Sequence, residues 1–206
     1  MTFPCIVVDI ETTGLPGKPP GWIPRVVEVG AVVVTADLQV VGDMGFEVLV
    51  RQDEAHLRDP RAAGAWGLSD LTPEFVLAQG IAEPIAALRF ALWLGWARAA
   101  HGAMHLRAFN EAFDFGFLRK APWHIDQLRP PGPCIMLEAT EAMDREGVLP
   151  RWADGSPKWA KSEEAEAFYR ARGHAIPTEG TAHRALRDAL VEAHIAVAIE
   201  RERRTP

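Results

Sequence analysis

The sequence predicts an α/β fold in which a meander of strands near the N-terminus is followed by helices. Three observations predict it. Residues 3–8, 25–35 and 38–50 are rich in β-branched and apolar side chains, and short turns or a Pro/Gly loop join them. A fourth apolar run, 104–109, leads straight into helix-start signals. Beyond it, apolar residues recur at helical spacing in 134–145, 161–172 and from 181 onward.

Residues 3–8 read as a buried strand that two acids, Asp9 and Glu11, interrupt. Side chains at i and i+2 of a strand share a face, so the two carboxylates stand side by side. That is unfavourable unless protons or cations compensate them. A pair of Mg²⁺ or Mn²⁺ ions would do so, because hard cations prefer carboxylate oxygens. Thr12, Thr13 and Gly14 turn the chain, with Gly14 free to adopt positive φ. An isolated Asp-x-Glu equally describes a strand end entering a solvated turn, so the pair gains weight only from acids elsewhere in the chain.

Lys18-Pro19-Pro20-Gly21-Trp22 is a loop, and the valine-rich run 25–35 is a central strand returning through Ala36-Asp37 to residues 38–50. Glu28 reads as an exposed or flanking residue and stays outside the predicted site. Residues 51–64 are polar surface loop or short irregular helix. Thr72-Pro73-Glu74 opens a helix, with Thr72 as N-cap and Pro73 at the first position. Residues 81–99 are helical, with Ile85, Leu88, Leu92 and Gly95–Trp96 as the apolar spacing. His101 and His105 lie four apart, but Gly102 breaks the helix between them and no third ligand follows, which argues against zinc.

After the fourth strand, Asn110 is a candidate N-cap, Phe113 and Phe117 are i,i+4 neighbours, and Asp114 lies in the first helical turn. An acid there can simply complement the helix dipole. It can also bring a third carboxylate toward the first two. Residues 121–133 are proline-rich loop, 134–145 and 161–172 are helices, 147–159 is an exposed connection, and Gly173 is a helix stop. The final helix carries the stripe Leu186, Ala189, Leu190, Ala193 and Val197. His183 and Asp188 are five apart, about 140° of rotation in one helix, so they do not share a face. For both to reach one site, His183 has to sit at or just before the helix start, on an approach loop. Arg201, Arg203 and Arg204 complement the dipole at the other end.

Composition bounds the function classes. A chain of 206 residues fits one domain, 1–206, and 48% hydrophobic with 24% charged residues is ordinary globular composition. A net charge of −6 excludes a basic glove for long duplex DNA; metal ions and a local basic patch would have to carry any nucleic-acid contact. Cys5 and Cys134 have no ligand-like spacing and read as buried thiols of a reducing cytoplasm. Neither a signal peptide nor a membrane span is visible, so a soluble cytoplasmic protein is expected.

Asp9-x-Glu11-Thr12-Thr13-Gly14, Asn110-x-x-Phe113-Asp114-x-x-Phe117-Leu118 and His183-Arg184-Ala185-x-x-Asp188-Ala189 are three motifs in one order. Together they resemble the DEDDh 3′→5′ exonucleases, the group that includes polymerase proofreading subunits and RNA-trimming enzymes. The resemblance implies a ribonuclease H-like fold: a mixed five-stranded sheet, its first three strands antiparallel and its first strand central, flanked by helices. It implies that Asp9, Glu11, Asp114 and Asp188 hold two divalent cations, Mg²⁺ or Mn²⁺, about 3.5–4 Å apart. His183 would be general base on the attacking water, a task suited to imidazole. Thr12, Thr13, Gly14, Leu15, Asn110 and Phe113 would seat the terminal nucleotide of a single-stranded 3′ end, releasing nucleoside 5′-monophosphates.

The sequence departs from the family at Phe109, before the motif asparagine, and at Trp66 of Trp66-Gly67-Leu68-Ser69, both positions where the family has His. An aromatic ring at either would offer a surface for stacking on a base. Single-stranded DNA is the expected substrate, RNA 3′-end trimming the alternative, and a catalytically silent nucleic-acid- or polymerase-binding module the reading from another class. A polymerase is a candidate partner. Because the chain stops at Pro206, just past its last helix, a free-standing nuclease is expected.

Overall fold

The computed structural model describes residues 3–67, 70–102, 105–128, 131–178 and 183–205. Its elements run β1 (Cys5–Thr12), β2 (Val26–Val34), β3 (Val40–Arg51), α1 (Glu54–Leu57), a 3₁₀ turn (Pro60–Ala62), α2 (Ala63–Trp66), α3 (Pro73–Gln79), β4 (Ile81–Ala82), α4 (Glu83–His101), β5 (His105–Arg107), α5 (Glu111–Leu118), α6 (Ile125–Leu128), α7 (Ile135–Arg145), α8 (Ser162–Ala171) and α9 (Ala185–Arg204). The five strands form one mixed sheet in the order β4-β3-β2-β1-β5. β1 and β3 pair antiparallel with β2, whereas β5 and β4 add parallel to β1 and β3. The predicted starts Met104 and Thr181-Ala182, and Leu68-Ser69, lie outside the described residues.

Three expectations need correction. β1 does not stop at the acids but runs through them, because Glu11 pairs with Glu28 and Thr12 with Val26. β1 is interior rather than central; the middle strand is β2, buried at every position. The fifth strand comes from Ile81–Ala82, inside the predicted helix, where two residues extend beside Val50 and Arg51 before the helix begins.

Helix α4 shows the largest error. Ile85, Leu88 and Leu92 are more than half exposed, and Ala86, Ala87, Phe90, Leu94 and Ala97 face the sheet instead. Small alanines let the helix approach closely while Phe90 and Leu94 fill the gap, so packing follows fit rather than side-chain size. Other local signals hold. Thr72 Oγ1 accepts from Phe75 N at 3.1 Å, and Gly173 closes α8 at φ 87°. Asn110 occupies the N-cap of α5 without its side chain making a cap hydrogen bond, and residues 121–133 contain the short α6.

The sheet separates two cores. Cys5 and Val7 point into a cluster with α7, α8 and α9; Ile6, Val8 and Ile10 point into one with α4 and α5. Strand alternation therefore puts Asp9 and Glu11 on the α9 side. Opposite Asp9 stands Gly30, and a Cβ on Gly30 would lie 2.1 Å from the carbonyl carbon of Ala185 and 2.2 Å from Leu186 N. The missing side chain lets the start of α9 rest directly on β2 beside the acids. Among the described residues no helix is long and apolar enough to cross a membrane.

Replacing Gly30 by Ala forces α9 off the sheet. Denaturant unfolding of Gly30→Ala is expected to show a loss of about 1–3 kcal/mol, and an unchanged midpoint would contradict the packing described.

Candidate active site

A cavity of about 500 Å³ opens where β1, α5 and the start of α9 meet, and Asp9, Glu11, His183, Asp188 and Glu192 line it. Each acid arrives by a different local route. Asp9 and Glu11 come from one face of β1. Parallel pairing of β1 with β5 covers only Cys5 to Val7, so beyond it the edge of β1 is free, and Ile10 N–H donates to the Asp114 carboxylate. Asp188 lies in the first turn of α9, its backbone N–H donating to Arg184 O at 2.9 Å. His183 precedes the helix at φ 58°, a left-handed conformation that histidine adopts more readily than most residues. One donor atom each from Glu11, His183 and Asp188 lie within 4.8 Å of one another.

Negative charge dominates here. Burial, then repulsion from Glu192, Asp114, Glu11 and Asp188, holds Asp9 well above the usual carboxylate range. Burial raises Glu11 to about 8, with Asp188, Glu28 and Asp114 adding to it. Burial likewise raises Asp114 to about 8, against the pull of hydrogen bonds from its own N–H and that of Ile10. Asp114 is 3% exposed and Glu192 4%, and among the described residues neither they nor Asp9 form an ion pair with a basic side chain. A set of hard oxygen donors with an imidazole beside them, short of positive charge, fits hard divalent cations.

Glu28 corrects the sequence reading. It is 0% exposed, and both its oxygens accept from Arg184: Nε at 2.9 and 3.1 Å, Nη2 at 2.7 Å to Oε1. Oε2 also accepts from Ala185 N at 2.9 Å, satisfying an otherwise free donor at the start of α9. Glu28 faces Glu11 across the strand pair. The latch therefore ties the residue next to His183 to the strand next to Glu11, and the helix carrying Asp188 follows. Glu192 also joins the cavity from outside the sequence motifs. Its signal is legible all the same: four residues after Asp188, it shares that residue's helix face.

The predicted nucleotide contacts divide. Thr12, Gly14, Leu15 and Phe113 line the cavity. Thr13 and Asn110 are not among its lining residues. Thr13 is fully buried and braces the turn: Oγ1 accepts from Arg25 N at 3.0 Å and contacts His56 Nε2 at 2.9 Å, while Thr13 O accepts from Trp22 Nε1 at 3.0 Å. Gly14 sits at φ 130° with Trp22 packed beside it. Neither of the two aromatic departures is among the cavity's lining residues. Phe109 is buried in the core beside α7 and α9, and Trp66 donates Nε1 to Leu57 O and packs in the small cluster under α1 and α3. The Phe109 ring fills core space, and the Trp66 ring is partly buried against its cluster.

Asp9, Glu11, Asp114 and Glu192 bind protons more tightly folded than unfolded. Their contribution to stability is full below the ordinary carboxylate range and is lost as pH rises toward about 8. In chelator, the melting temperature is expected to fall between about pH 5 and about pH 8, and Mn²⁺ to restore more of it at the higher pH. A flat metal-free profile would contradict this. Separately, Glu28→Ala leaves the Ala185 N–H without its acceptor and Arg184 with only its longer contacts to Asp70 and Glu47, and should cost about 1–3 kcal/mol in denaturant unfolding.

No protein-family model and no curated protein matches this sequence. Solved structures do match. Cell-death related nuclease 4 (CRN-4) superposes with a TM-score of 0.68 at 17% identity over 96% of this chain and 64% of its own. The nuclease domain of 3′hExo, a DEDDh family member bound to rAMP, gives 0.66 at 17% identity, covering 96% and 92%. E. coli Exonuclease I in complex with an oligonucleotide gives 0.62 at 20% identity, covering 98% of this chain and 41% of that one. This chain thus spans less than two thirds of the first and third of these proteins. At such identities the likeness is one of architecture: the chain has the ribonuclease H-like α/β fold of these exonucleases.

Proposed function

We propose that residues 1–206 form one metal-dependent 3′→5′ exonuclease domain of the DEDDh type, acting on single-stranded DNA 3′ ends. The observation that carries this is the meeting of Asp9, Glu11 and Asp188 beside His183 at one cavity, with the buried Asp114 close enough to Asp9 and Glu11 to raise both. Divalent cations held by those four carboxylates would neutralise charge developing on a scissile phosphate and make a bound water more acidic. His183, at the mouth of α9, takes the proton from that water as its oxygen attacks phosphorus. The bond from phosphorus to the 3′-oxygen of the preceding nucleotide breaks. A nucleoside 5′-monophosphate leaves, and the strand, one residue shorter, keeps a 3′-hydroxyl.

Other lining residues support a strand end as substrate. Leu15, about half exposed, and Phe113 both line the cavity, two apolar surfaces for the terminal sugar and base. Lys18 lines the same cavity, as do Arg61, paired with Asp59, and Arg187, paired with Asp188, so an acidic chain still places basic groups near a phosphate backbone. Arg187 Nη1 donates to Asp188 Oδ1 at 2.8 Å, which steadies that carboxylate from its outer side.

Digestion of end-labelled single-stranded DNA and RNA, side by side, with and without chelator, tests the reading. Nucleoside 5′-monophosphates released from the 3′ end only with Mg²⁺ or Mn²⁺ are expected, and Asp188→Ala should lower the rate about 100-fold or more while keeping end-binding. Faster trimming of RNA would reassign the substrate. Wild-type protein that binds ends but cleaves nothing would make it a binding module.

A further inference from the structure

Glu192 has no part in the chemistry proposed for the other acids, yet nothing about its position is neutral. It sits one turn after Asp188 on α9 and lines the same cavity as Asp9, Glu11, His183 and Asp188. Around it, Val191, Ala193, Ile195 and Ala196 are buried and apolar, so the fold supplies a hydrophobic environment to a carboxylate that is 4% exposed. Among the described residues its one hydrogen bond is accepted by Oε2 from Phe109 N at 3.3 Å, leaving Oε1 without a protein partner. Its electrostatic neighbours of consequence are acids, Asp114 and Asp188, and after burial it is the largest influence on Asp9. An apolar or hydroxyl side chain would fill the space at much lower desolvation cost. A cation shared with the neighbouring carboxylates removes that cost.

We propose that Glu192 is a fifth carboxylate of the divalent-cation centre, holding an ion together with Asp9, Asp114 and Asp188. This rests on the metal-site reading of the cavity. Oε2 keeps the backbone of the β5–α5 junction in register through Phe109 N–H, and Oε1 is the oxygen free for the ion. The residue thereby links the cation to the segment that delivers Asp114.

The substitution Glu192→Gln tests this, because its amide oxygen still accepts from Phe109 N–H while the charge is gone. Mn²⁺ binding is titrated calorimetrically on purified wild type, Glu192→Gln and Asp188→Asn, each checked for folding by circular dichroism in chelator. The expected result is Mn²⁺ affinity about tenfold or more weaker in Glu192→Gln with an unchanged folded spectrum. Equal affinity in wild type and Glu192→Gln overturns the role of Glu192 and leaves the metal-site reading intact. Wild type that binds no Mn²⁺, or Asp188→Asn that binds as well as wild type, overturns the metal-site reading itself. Should Glu192→Gln not fold, Glu192→Met fills the same volume without charge and is judged by the same titration.

Discussion

Helix α9 has to lie flush on the middle of the sheet for this molecule to have a site at all, and two strand residues on β2 make that contact. Gly30 removes the side chain that would hold the helix away, and Glu28 grips Arg184 and the Ala185 N–H. Neither device works alone. Without the gap at Gly30 the helix start cannot reach the strand, and without the carboxylate the Ala185 amide is unpaired and the Arg184 guanidinium keeps only its longer contacts to Asp70 and Glu47. Because Glu28 and Gly30 lie opposite Glu11 and Asp9, the same contact sets His183 and Asp188 beside the acids of β1.

The second constraint is charge. Five carboxylates gather at one end of β1, and the arginines on the first turn of α9 are already engaged, Arg184 by Glu28 and Arg187 by Asp188. Folding the protein therefore concentrates negative charge where water is scarce, an arrangement that costs stability on its own and favours cation capture. Stability and ion binding are coupled through the same groups. The surrounding apolar clusters on both faces of the sheet provide the rigidity that keeps these carboxylates from spreading apart.

Sequence pattern misleads where packing decides. In α4 the large residues Ile85, Leu88 and Leu92 form the more regular stripe, but the sheet accepts the face with Ala86, Phe90 and Leu94. A helix with apolar residues on several faces carries no single period, and the winner is whichever face interlocks with β3 and its neighbours. The chemistry of Phe109 and Trp66 suggests stacking surfaces, but Phe109 is buried in the core and Trp66, packed partly buried against a separate cluster, does not line the cavity. A strand acid such as Glu28 is usually solvated; only a partner 156 residues away in sequence shows otherwise.

What the sequence by itself determined is local: the valine-rich strands, the Thr72 cap, the turn at Gly14, and three motifs whose residues we propose to carry the chemistry. It also required His183 to stand ahead of its helix, since 3.6 residues per turn forbid a shared face with Asp188. Helical spacing already put Glu192 on the face of Asp188; only the tertiary structure decided that Glu28 is a latch, that Asp9 and Asp114 meet that face, and which face of α4 is inside. Those outcomes depend on contacts between segments far apart in the chain, and neither propensity nor spacing encodes which distant side chain will arrive.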